Sequence, residues 1–182
     1  MIIKNLAASC RKRMLIDIFT DTKQDIQWIG YGSALYPMHG IPWISTDQAL
    51  VMFDVPEKKR DKTIVVDHGN IRDFFDVSDG AADNEAVAIN LPMFFGGMMI
   101  YPTITSQGIA FYDADAFNIV KDIEDLRLYE RYTDKGKLYF VAKAGMMVEA
   151  VILPLNIKAK ELLERMTQIT DMLKAQAEQE DE

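Results

Sequence analysis

The chain is poor in the residues from which active sites and metal centres are usually built. Its 182 residues include one cysteine, Cys10, and two histidines, His39 and His68. A lone cysteine excludes an internal disulfide framework and makes a reducing cytoplasm the expected location. Two histidines far apart in sequence and one distant cysteine match no zinc-ligand spacing. No G-x-S-x-G elbow is present, and Gly30-x-Gly32 is not followed by the third glycine and helix that a dinucleotide site needs. No G-K-[ST] occurs either, so phosphate cradles find no support. Asp113 and Asp115 stand two apart and Asp21 and Asp25 share a turn. Hard cations need several converging oxygens at EF-hand-like spacing, and helix capping by Asp113 accounts better for the first pair. No catalytic residue, metal or cofactor is assigned. Runs of about 18 apolar residues, long enough to span a bilayer, are also missing, so no membrane association is expected. The start, "MIIKNLAASCRKR", lacks the order of a secretory signal.

What is present is the composition of a globular binding protein: 49% apolar, 26% charged, with a formal charge of −8. That acidity excludes a protein that coats nucleic acid with its whole surface. Two short basic runs stand against it. Arg11, Lys12 and Arg13 form one, and Lys58, Lys59 and Arg60, with Lys62 beyond, form the other. Each is read either as a solvated turn or as a set of phosphate contacts. On the phosphate-binding reading, Arg127, Arg131, Lys135 and Lys137 assist from a second hairpin. Tyr129 and Tyr132 interleave there, either packing across a sheet or stacking on bases. Methionine is plentiful at 11 residues, either as adaptable core filling or as a promiscuous surface.

Periodicity predicts a short helix over 2–13, strands over 14–20 and 26–37, and a helix after Ser45–Thr46 that Pro56 ends. A charged turn (57–62), strands over 63–68 and 71–77, a loop at 78–84 and a long strand over 85–95 follow. In the second half, strands over 98–104 and 108–112 lead to a helix over 113–123. Three more strands, 126–133, 137–144 and 146–157, complete it, the first two joined by an Asp134-Lys135-Gly136 turn.

Two phrases recur: "EAVAINLP" (85–92) and "EAVILP" (149–154). Laying 40–53 over 108–121 matches Gly40 with Gly108, Ile41 with Ile109, Trp43 with Phe111 and Ser45 with Asp113. Tyr36-Pro37 echoes Tyr101-Pro102. The fold predicted is therefore α+β, one domain over 1–157 made of two β-α-β-β-β units, about 14–95 and 98–157. The segment 158–182 follows as a helix with a disordered acidic end. In it, Leu162, Met166, Ile169 and Leu173 recur at spacings of 4, 3 and 4, an amphipathic seam for docking on its own domain or on a partner. Self-association through strand edges or through this seam is expected, because open edges are templates for pairing.

A doubled β-α-β-β-β unit, with the closing "AVILPLNI" (150–157), resembles a domain of the DNA sliding clamps, the processivity factors of replicative polymerases. The resemblance implies helices that line a ring around DNA and an outer groove that receives partner peptides, in a compact form of phage or mobile-element origin. One departure stands out: "STDQALVMF" has no basic residue, and "DADAFNIVKDIEDL" has only Lys121 against its acids. The expectation is a non-enzymatic binding or scaffold module, DNA-associated if the resemblance holds. Its rivals are a structural or regulatory protein of phage assembly or inhibitor type without nucleic-acid binding, and an enzyme with an unrecognised site.

Overall fold

The computed structural model describes residues 2–80 and 84–157, together with Glu164, Thr167 and Asp171. The predicted seam residues Leu162, Met166, Ile169 and Leu173 lie outside the described residues. The fold is α+β.

It begins with α1 (Ile2–Arg13). Leu6, Ala7 and Cys10 fall on one face at helical spacing and are buried. The helix ends in Arg11, Lys12 and Arg13, whose charge suits the negative end of the helix dipole. Met14, at a φ of 53°, turns the chain out of it. β1 (Leu15–Asp21), β2 (Ile26–Gly30) and β3 (Ala34–Pro37) then form an antiparallel meander. The sequence predicts one strand over 26–37, but the chain reverses in it. Gly32 adopts a left-handed φ of 64° and the Tyr31 amide donates to the Ala34 carbonyl at 3.0 Å, closing a tight turn.

α2 (Thr46–Met52) carries the predicted cap as a full capping box: Ser45 accepts from the Gln48 amide while the Gln48 side chain returns to the Ser45 backbone. The charged run after Pro56 is a single helical turn, α3 (Glu57–Arg60), and not an open turn. β4 (Ile64–Asn70) pairs parallel with β1. The strand predicted over 71–77 does not form. Asn70 caps a 3-10 turn, Ile71–Asp73, by accepting from the Arg72 amide, and that directs the chain across the sheet. The long strand predicted over 85–95 is broken into β5 (Asn84–Glu85), β6 (Val87–Ala88) and β7 (Met93–Phe95). β8 (Met98–Thr105), β9 (Gly108–Asp113) and α4 (Ala114–Asn118) come next. A second meander, β10 (Leu126–Tyr132), β11 (Leu138–Ala144) and β12 (Met147–Ile152), closes the order.

The strands make two sheets. The larger has the order β4-β1-β2-β3-β12-β11-β10-β5, and the smaller sets β8 between β9 on one side and β6 and β7 on the other. The two meanders join antiparallel at β3 and β12, through Val151 opposite Leu35 and Ile152 opposite Ala34. Each meander follows a helix, α1 in one case and α4 in the other. The two "EAV" phrases do not occupy equivalent places. Glu149, Ala150 and Val151 lie inside β12, whereas Glu85 and Val87 belong to different sheets. Likewise 40–44 carries no strand where 108–111 is part of β9. Ser45 and Asp113 do both cap helices.

Strand alternation sorts the large sheet into two buried faces. On one face Ile16, Ile18, Ile29, Tyr36, Phe140, Ala142, Ala150 and Ile152 pack beneath Leu6 and Cys10 of α1, Ala49 of α2 and Ala116 of α4. On the other, Phe19, Trp28, Leu35, Tyr139, Val141 and Val151 pack beneath Ile71 and Val77. The helices thus cover the first face, and the 71–77 segment covers the second.

Candidate functional site: a groove on the second face

The segment after Asn70 is fastened at three points. Arg72 donates to both carboxylate oxygens of the fully buried Asp21, Nε to Oδ1 and Nη2 to Oδ2, each at 2.8 Å. Planar guanidinium meeting carboxylate in this way fixes orientation as well as charge. Burial alone would raise the Asp21 carboxyl. Hydrogen bonds from Arg72 and from the Lys23 and Gln24 amides outweigh it and hold the group below its usual range. Further on, the Asp76 amide donates to the Tyr139 hydroxyl at 2.9 Å, and Arg131 Nη1 donates to the Asp76 carbonyl at 2.6 Å. Phe75 meets the Tyr139 ring edge-on at 5.2 Å. Lys143 closes the series on Asp79 at 3.5 Å.

So fastened, the segment forms one wall of a groove of about 990 Å³. The turn between β10 and β11 (133–137) forms the opposite wall, and Leu153–Asn156, leaving β12, complete it. That turn is held by the Thr133 amide donating to the Lys137 carbonyl at 2.9 Å and by Gly136 donating back to Thr133 at 2.8 Å. The last stretch is held by Leu153 donating to the Ser33 carbonyl and Leu155 to the Phe111 carbonyl, at 2.8 and 2.7 Å. Phe74, Phe75, Leu138, Leu153, Pro154 and Leu155 give the groove apolar surface. Its charges cancel: Arg72, Lys135 and Lys137 face Asp73, Asp76 and Asp134. A lining of this kind suits an extended apolar segment with scattered polar groups better than a polyanion.

The residues expected to touch nucleic acid are distributed otherwise. Arg11 Nη1 donates to the Phe53 carbonyl at 2.7 Å, fastening α1 to the end of α2. Lys12 pairs with Asp115 at 3.1 Å, and Arg13 pairs with Asp113, the buried residue that caps α4 through the Asp115 amide. Arg13 also lies over the Tyr31 ring at 5.0 Å. Lys58, Lys59 and Arg60 stand exposed on α3, with Arg60 Nε donating to the Val55 carbonyl. The two triads therefore sit on separate helices. Of the second-hairpin set, Arg127 pairs with Glu85 at 3.7 Å, and Lys135 and Lys137 line the groove.

The groove wall at 71–77 is the feature that sequence reasoning missed. The adjacent Phe74 and Phe75 between Asp73 and Asp76 were its only signal, and they suit a strand equally well. His68 is also placed: Nε2 meets Asp17 Oδ1 at 2.8 Å and the ring stacks on Phe19 at 4.4 Å, tying β4 to β1. Among the described residues, no cluster of three His, Cys, Asp or Glu is placed to hold a metal ion. No helix among them is long and apolar enough to cross a membrane. Comparison with protein-family models, curated proteins and solved structures gives no match to this chain.

Proposed function

We propose that this chain is a non-enzymatic binding module whose groove takes a short, largely apolar peptide segment of a partner protein. The observation that carries the proposal is the groove itself: an apolar, charge-balanced channel built from three separately fastened elements. Pre-formed walls reduce the ordering cost of capturing a flexible segment. The resemblance to sliding clamps adds support, since it implies helices on one sheet face and a peptide groove on the other, near the closing strand.

Selection of peptides from a random library tests the proposal. Binders to the wild-type chain should share apolar side chains and lose at least about tenfold in affinity for Phe74→Ala. Phe74 is 46% exposed, so the substitution leaves the fold intact. Failure to recover binders, or binders indifferent to Phe74→Ala, would overturn it.

The second reading, a scaffold without nucleic-acid binding, is favoured over a DNA-associated one by the pairing of Lys12 and Arg13 with acids of the α4 turn. Neutralised cations release no counterions from DNA. Mobility shift below about 50 mM salt separates the two, because nonspecific phosphate binding strengthens steeply there. Retardation that Lys58→Glu with Lys59→Glu abolishes would restore the DNA-associated role.

A further inference from the structure

Residues 86–112 contain no Asp, Glu, Lys, Arg or His. At the 26% charge of the whole chain, a stretch of 27 residues would carry roughly seven. The small sheet, β6 to β9, lies in this stretch but for the terminal Asp113. One of its faces is turned inward: Tyr101, Ala110 and Tyr112 pack into the first core and Thr103 is buried. The other face would ordinarily be polar, as solvated faces of antiparallel sheets are. Instead Val87, Ile104 and Ile109 stand side by side on it as direct cross-strand partners, 56%, 51% and 63% exposed. Ile100 and Pro102, further along the same face, are buried, so the open part is its Val87–Ile104–Ile109 end.

We propose that this apolar end of the small sheet is the docking face for a second copy of the chain. Charge decides the occupant. The chain carries a net −8, none of it on residues 86–112. Two copies meeting elsewhere bring like charge together, whereas here they bring none. An uncharged face also offers nothing to steer or orient a charged foreign partner. A flat apolar row complements itself, which is what a two-fold contact requires. Three aliphatic side chains about half exposed supply ~100 Å² each, hence ~600 Å² of apolar area across both copies. That is below the ~1,200 Å² of stable complexes, so the dimer is reversible, at micromolar or weaker affinity.

Sedimentation of the full chain from about 5 to 500 µM tests this, a range set by that weak affinity. The weight-average mass should rise from 20.7 kDa toward twice that value. Raising salt to about 1 M should strengthen the association, because it screens the acidic surfaces and leaves apolar contact intact. Ile109→Asp should hold the mass at the monomer value. Phe94→Asp should not, since Phe94 pairs with Met99, which β alternation sets on the opposite face from Ile104. If Ile109→Asp fails to fold, Ile109→Thr should weaken association at least severalfold while unfolding like the wild type. A constant monomer mass, association that salt abolishes, or Ile109 variants that associate like the wild type would each overturn the proposal.

Discussion

Replacing Asp21 with alanine should be among the most damaging single changes outside the apolar core. The carboxylate is fully buried and serves four donors: two on Arg72 and the amides of Lys23 and Gln24. Removing one member of a buried pair costs about 3 to 5 kcal/mol, because its partner is left without compensation. Arg72 keeps 20% exposure and reaches water, which places Asp21→Ala near the lower figure, about 3 kcal/mol. For a domain of this size that lowers Tm by about 10 °C. Arg72→Met should cost more, since it strands the carboxylate where no water reaches it. Their combination, Asp21→Leu with Arg72→Met, should recover part of the loss. The sign of the pH dependence follows from the lowered carboxyl. A folded-state value below the unfolded one means that the stabilisation is present above about pH 4 and lost as pH falls through the folded value. Urea unfolding of wild type and Asp21→Ala at pH 7 and stepwise down to pH 2 measures the difference. The gap should be about 3 kcal/mol at pH 7 and shrink below pH 4. A gap under about 1 kcal/mol at pH 7, or one undiminished at pH 2, would refute the account of this pair.

Two further substitutions probe the frame that holds the groove. At Gly30 an added Cβ would lie 1.7 Å from the Ala34 carbonyl oxygen. Gly30→Ala should therefore force the β2–β3 turn open and cost more than about 3 kcal/mol, or prevent folding, as read by circular dichroism and thermal unfolding. Phe140 is fully buried in the first core. Phe140→Ala should cost about 3 to 5 kcal/mol with an unchanged urea m-value, since it leaves a cavity and not a different unfolded state.

Local chemistry was legible in the sequence wherever a signal closes within a few residues. Ser45 with Gln48, and Asp113 with the amide of Asp115, cap helices that periodicity had located. The β10–β11 hairpin follows from its alternation and its Asp-Lys-Gly turn. Reading failed where two segments compete for one strand partner. Apolar residues over 85–95 predict a strand, but whether it adds to β10 or to β8 depends on which edges stand open. The chain divides itself between both. Residues 71–77 failed for the opposite reason: the register is strand-like, yet Arg72 finds its carboxylate 51 residues away.

By itself the sequence determined the α+β class, most element positions, the capping of α2 and α4, and the acidic balance. Each of these depends on neighbours in the chain, through dihedral preference, hydrogen bonds over a few residues and side-chain period. Only tertiary structure decided that β3 and β12 join the two meanders, that α1 spends its basic end on α4, and that 71–77 walls a groove. Those outcomes depend on pairings between residues 50 to 120 positions apart, where many alternatives share the same local pattern and only burial and charge matching choose among them.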